Sequence, residues 1–171
     1  AGLSGRASIA LPGGMAAGDS VVFFLHGELR ATAVAAGGRP LALSQDTTRY
    51  YYDYSLVANR VAVDVPRGWD GALDVRWEGR CSPSTARSPS DYMRIDSTGV
   101  YLRSYGYSLW FPVFAESGAE PHDAAFPRVL LRTPPDFTAV FVGERLKEET
   151  GADGRVASWR CDPIPVHRVQ C

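Results

Sequence analysis

The feature that most constrains this chain is a succession of short alternating runs, each ended by Gly, Pro, Asp or Asn, with no long amphipathic helix between them. Arg60-Val-Ala-Val-Asp-Val65 alternates with period two and stops at Pro66. Ala72-Leu-Asp-Val-Arg-Trp-Glu78 does the same and puts Leu73, Val75 and Trp77 on one face. Leu29-Arg-Ala-Thr-Ala-Val34 alternates before a Gly37-Gly38 turn, and Asp19 to His26 reads as a buried strand. Successive side chains of a strand point to opposite faces, so alternation marks one buried and one wet face. Antiparallel sheets show this pattern, whereas parallel sheets show continuous apolar runs.

The second half repeats the pattern. Val100 to Arg103 predicts a brief strand, and Ser108 to Phe114 an aromatic one, limited by Pro112 to a strand end or edge. Phe126 to Arg132, Phe137 to Val142 and Gly154 to Arg160 predict three more. Only Glu144 to Thr150 has helical character, and it is too short to stand without tertiary support. The expected fold is therefore all-β, an antiparallel β-sandwich or a saddle-like curved sheet, which excludes βαβ folds and helix bundles. One domain over residues 1–171 is expected, with a flexible Ser/Pro-rich loop at about 79–91.

A chain of 171 residues is long enough to bury a core without disulfides or metal. The formal net charge of -1, from 18 basic and 19 acidic residues, gives no reason to expect nucleic acid. The basic residues are almost all arginine, with Lys147 the only lysine, and they are dispersed. No apolar run approaches the ~18 residues of a membrane span, and residues 1–18 make a poor signal peptide, so no membrane contact is expected of this segment. Cys81, Cys161 and Cys171 lack Cys-x-x-Cys spacing; Cys161 and Cys171 could close a small loop or be free thiols.

No residue set in the chain spells a catalytic or metal site. His-Glu-x-x-His and Gly-x-Ser-x-Gly are both absent. Glu120-Pro-His-Asp123 could bind a metal or relay a proton through His122 and Asp123, or be a solvated polar loop. His26, at the end of an apolar strand, reads as a hydrogen-bonded residue at the core edge. Gly13-Gly14 and Gly37-Gly38 read as turns, not phosphate loops, and Glu148-Glu149 as a charged turn rather than a glycosidase pair. The tyrosine-rich stretches Tyr50-Tyr51-Tyr52 with Tyr54, and Tyr101, Tyr105, Tyr107 with Trp110 and Phe111, suit a sugar or peptide surface or simply supply core. Catalytic, cofactor-binding and metal residues are therefore all expected to be none in this chain.

The order of the segments resembles a known family. Leu11-Pro-Gly-Gly-Met-Ala-Ala-Gly-Asp19 precedes the strand Val21 to Leu25, and Leu29 to Val34 follows. Val61-Ala-Val-Asp-Val-Pro66 and Leu73-Asp-Val-Arg-Trp-Glu-Gly79 resemble a pair ending in hydrophobic-x-Tyr-x-Gly, with Trp77 in place of the tyrosine. Gly99-Val-Tyr-Leu102 and Trp110-Phe-Pro-Val-Phe114 resemble a stretch that usually reads Trp-Tyr-Pro. Val129 to Pro134, Asp136 to Val140, Gly143-Glu-Arg-Leu146 and Val156 to Arg160 complete the series. Together, over roughly residues 8–166, they resemble the N-terminal β domain of M1-family metallopeptidases, zinc aminopeptidases related to leukotriene A4 hydrolase, of bacterial type.

The resemblance implies an accessory, non-catalytic domain that packs on a downstream catalytic domain and helps wall its substrate cleft. Zinc is implied only for that parent domain, because neither His-Glu-x-x-His nor Gly-x-Met-Glu-Asn occurs here. It further implies an apolar docking patch, with Trp110 and Phe111 as candidates for its rim. The alternative is a free-standing carbohydrate- or peptide-binding β module that uses exposed tyrosines.

Overall fold

The computed structural model of the chain describes residues 2–10, 20–51, 55–66, 69, 71–80, 93–95, 100–102, 109–114 and 123–165. They contain twelve strands and no helix. In chain order these are β1 (Gly2–Ala10), β2 (Ser20–His26), β3 (Leu29–Ala36), β4 (Arg39–Pro40), β5 (Leu43–Tyr51) and β6 (Ser55–Asp64). They continue with β7 (Ala72–Arg80), β8 (Met93–Ile95), β9 (Val100–Leu102), β10 (Asp123–Thr133), β11 (Glu144–Gly151) and β12 (Gly154–Pro165). The fold is all-β, as the alternation predicts. A first sheet runs β1-β7-β3-β4, a second β2-β6-β5 and a third β10-β12-β11, with β8-β9 a separate pair. Every pairing is antiparallel.

The predicted alternation of β7 sets the inner face of the first sheet. Leu73, Val75 and Trp77 are buried there, opposite Leu29, Ala31, Val34 and Ala36 of β3 and beside Leu3, Ala7 and Ile9 of β1. Val21, Phe23 and Leu25 of β2 and Val61 and Val63 of β6 form the inner face of the second sheet. Fully burying each such side chain contributes about 1.5–3 kcal/mol relative to exposure. Gly37 and Gly38 form the two-residue loop between Ala36 and Arg39 with φ of 55° and 79°. A type I′ hairpin needs positive φ at both central positions, which explains the glycine pair.

Two amides tie the layers together. Between Ala31 and Ala33 the β3–β7 register shifts by one residue. The Gln45 side chain of β5 accepts from the Ala31 N–H at 2.9 Å and donates to the Ala31 carbonyl at 2.8 Å. It thereby supplies the ladder partner that the short β4 does not reach. Asn59 of β6, 5% exposed, donates to the carbonyls of Leu29 (2.7 Å) and Gly27 (3.1 Å), where the chain crosses from the second sheet to the first. A buried polar group is tolerated only when bonded in this way.

The structure departs from several of these expectations. Glu144 to Thr150 is not helical; it is β11, the edge of the third sheet, paired with β12 and exposed throughout. Its residues favour helix locally, but at seven or eight residues pairing with a buried neighbour outweighs propensity. Phe137 to Val142 forms no strand and belongs to no ladder. Its alternation shows in burial: Ala139 and Phe141 pack on the core while Thr138 and Val140 are exposed, and Phe141 covers the third sheet through its contacts with Phe126 and Trp159. Ser108 to Phe114 is not a continuous strand; among residues 109–114 a single bridge joins Val113 to Phe24. Gly79 and Arg80 are the last residues of β7 rather than loop, and the rest of the 79–91 stretch lies outside the described residues. β1, whose alternation is too weak to predict a strand, pairs with β7 residue for residue from Gly2 to Ala10.

Candidate functional site

The third sheet joins the rest of the structure through a chain of aromatic rings. Trp77 Nε1 donates to the Trp110 carbonyl at 2.9 Å. Trp110 meets Phe111 edge-on with centroids 4.9 Å apart, and Phe111 meets Phe126 of β10 at 5.7 Å. Phe126 then contacts Phe141 at 5.9 Å, and Phe141 contacts Trp159 of β12 at 6.3 Å. The Arg145 guanidinium of β11 stands 5.9 Å from the Trp159 ring centre. Tilted and edge-on pairs of this kind contribute about 0.5–1.5 kcal/mol each beyond their buried area.

This seam corrects the place expected for Trp110 and Phe111. Both are only 8% exposed, so they are internal to the chain and not on the rim of an open patch. The backbone that presents them is bonded to β2: His26 N–H donates to the Leu109 carbonyl at 2.9 Å, and Phe24 and Val113 exchange both bonds. Leu109 takes a positive φ of 39°, a strained conformation for a residue with Cβ, held by its full burial. The large exposed apolar side chains lie elsewhere. Leu130 is on the outer side of β10, Val140 on the covering segment, Leu146 at the bulge of β11, Val57 on β6 and Val100 on β9. They occupy separate elements rather than one strand face.

The other sequence candidates sort as follows. His26 is half-buried at the end of β2, and its Nδ1 accepts from the Glu28 N–H at 3.2 Å, as a core-edge residue should. Tyr50 is fully buried against Phe24, with ring centres 4.9 Å apart, so it cannot serve as a ligand platform. Tyr52, Tyr54, Tyr105 and Tyr107 lie outside the described residues, while Tyr51 and Tyr101 belong to β5 and β9. Glu148 and Glu149 are neighbours on a strand, not a turn, and so point to opposite faces. Glu148 pairs with Arg145 and, at 4.0 Å, with Arg155; Glu149 pairs with Lys147, whose hydrogen bond and charge hold that carboxyl below its ordinary range. The two cannot act on one bond.

His122, Gly13 and Gly14 lie outside the described residues, and Asp123 opens β10 opposite Pro165. Among the described residues no group of three or more His, Cys, Asp or Glu is arranged to hold a metal ion, so they offer no donor set for zinc. Cys161 is a buried free thiol whose Sγ donates to the Asp162 carbonyl at 3.3 Å, while Cys81 and Cys171 lie outside the described residues. What the described residues provide is a scaffold with charged edges and a buried aromatic seam.

No family model matches the sequence, and no curated protein matches it. Solved structures do match the fold. An M1 zinc metallopeptidase variant from Deinococcus radiodurans, bound to a Tyr-Ser-Ala substrate, superposes with a TM-score of 0.74 at 19% identity. The same variant from that organism, and a two-domain M1 zinc metallopeptidase bound to L-tryptophan, match with the same TM-score at 18% identity. Each match covers 99% of this chain and 37% of the other, so the chain spans about a third of those peptidases. The resemblance read from the order of the strands is thus matched by the fold.

Proposed function

We propose that this chain is an accessory, non-catalytic β domain of an M1 peptidase-like protein, packing on a catalytic domain and helping to wall its substrate cleft. The observation that carries the reading is the coverage: nearly all of this chain is similar to about a third of a metallopeptidase described as having two domains. The unbroken buried cluster, which draws residues from all three larger sheets, supports treating residues 1–171 as one structural unit. In such a protein the zinc, and the water it activates, would belong to the catalytic domain. This chain would contribute a rigid wall whose aromatic seam fixes the third sheet relative to the first.

The test compares the protein from the complete reading frame with this chain alone, by zinc content and by hydrolysis of aminoacyl-coumarin substrates. The complete protein is expected to bind zinc or to carry a recognisable remnant of that site, and this chain alone to do neither. Stoichiometric zinc and hydrolysis by this chain alone would overturn the reading. A complete reading frame with no second domain would overturn it equally.

A further inference from the structure

We infer that the free edge of β1 is a docking site for an extended strand whose side chains alternate between apolar and acidic. The inference rests on the geometry of the first sheet and not on the peptidase reading. β1 ends the sheet order, so among the described residues only β7 pairs with it. Its nine residues run in unbroken register, with no bulge, no proline and one charged side chain, Arg6. Long regular edges recruit further strands unless they are guarded by charge, proline or a bulge. The other long edges among the described residues are guarded. β11 carries five charged residues and a register shift; β10 has Pro127 and two register shifts; β2 is bridged by Val113; β5 carries both Asp46 and Arg49.

The two faces of β1 specify the occupant. On the inner face Leu3, Ala7 and Ile9 are only half-buried at the rim of the core, so an added strand would cover them with apolar side chains. On the outer face Arg6 stands directly opposite Arg76 of β7. Like charges placed opposite each other across a ladder are unfavourable. Asp74 approaches Arg6 only loosely, at 3.8 Å, and no described acid pairs with Arg76. A carboxylate on the next strand beside Arg6 would supply a closer countercharge for the Arg6–Arg76 pair than Asp74 does. A second copy of β1 would instead bring a second Arg6 toward the same pair, so self-pairing is the poorer fit.

The test titrates this chain with three nine-residue capped peptides of alternating Val-Glu, Val-Lys and Val-Ser, followed by backbone amide NMR shifts. The Val-Glu peptide is expected to bind saturably, with shifts concentrated on Gly2–Ala10, and the Val-Lys peptide about tenfold or more weakly. Arg6→Glu should reverse that preference while leaving the unfolding midpoint nearly unchanged, since the residue is exposed. No saturable binding by any peptide, or a ranking indifferent to the charge at position 6, overturns the inference. A concentration-dependent dimer whose interface maps to β1 overturns it as well, in favour of self-pairing.

Discussion

The indole of Trp77 lies against Gly5 on the neighbouring strand and donates its N–H to the carbonyl of Trp110, 2.9 Å away. One side chain thereby joins the edge strand of the first sheet to the aromatic seam that carries the third. Trp77→Phe keeps a ring but removes the donor and leaves a buried carbonyl without it. A loss of about 1–3 kcal/mol is expected, read as a lower urea midpoint with an unchanged slope. An unchanged midpoint would mean that the bond contributes nothing to stability.

Gly5 is required by contact rather than by backbone conformation. A Cβ at that position would lie 2.2 Å from the Trp77 ring. Gly5→Ala should destabilise by about 1–3 kcal/mol through overpacking. The penalty should shrink when Trp77 is replaced by Leu, so a double-mutant cycle should show coupling. Additive effects would refute the contact.

Asn59 offers a pH-dependent test. Asn59→Asp places a carboxyl against the Leu29 and Gly27 carbonyls that the amide now donates to. Burial and two facing acceptors raise the carboxyl's pKa in the folded variant above its unfolded value of about 3.9. The variant is therefore least impaired below pH ~3.9, where the carboxyl is protonated in both states. Stability is then lost as pH rises through the folded pKa, and the penalty reaches about 3–5 kcal/mol at neutral pH. Thermal unfolding of variant and parent from acid to neutral pH checks the sign; a pH-independent difference would contradict it.

Cys161 should behave as a protected thiol. Burial, with the Asp162 charge second, pushes its pKa up. The contribution of the neutral thiol to stability is complete below the unfolded value of about 8.5 and is lost as pH rises through the higher folded value. Alkylation at mildly alkaline pH should therefore be much slower in the native chain than in urea. Comparison with Cys161→Ser separates this thiol from Cys81 and Cys171. Equal native and denatured rates at Cys161 would show that the site is open.

Much of this fold was legible because one-sided burial writes itself into the sequence. Leu73, Val75 and Trp77 could be assigned to one face from spacing alone, and the Gly37-Gly38 turn from the need for positive φ. The edges were not legible. Gly2–Ala10 alternates Leu3, Ala7 and Ile9 with polar or small residues, a weak signal because glycine and alanine carry little hydrophobic contrast. Glu144–Gly151 has no burial alternation at all, since both of its faces are wet, and its residue types prefer a helix.

The seam was hidden for a different reason. The richness of Trp110-Phe-Pro-Val-Phe114 in rings is visible in the sequence, but whether those rings face solvent or core depends on what packs against them. Phe126, Phe141 and Trp159 come from three later segments, and only the folded chain brings them into line. By itself the sequence determined the fold class, the inner faces and the lack of a His-Glu-x-x-His site, because these follow from local period and spacing. Tertiary structure alone decided that Trp110 and Phe111 are internal, that Glu148 and Glu149 diverge, and that among the described residues β1 ends its sheet. Each of these depends on which distant strand lies alongside, which no local pattern encodes.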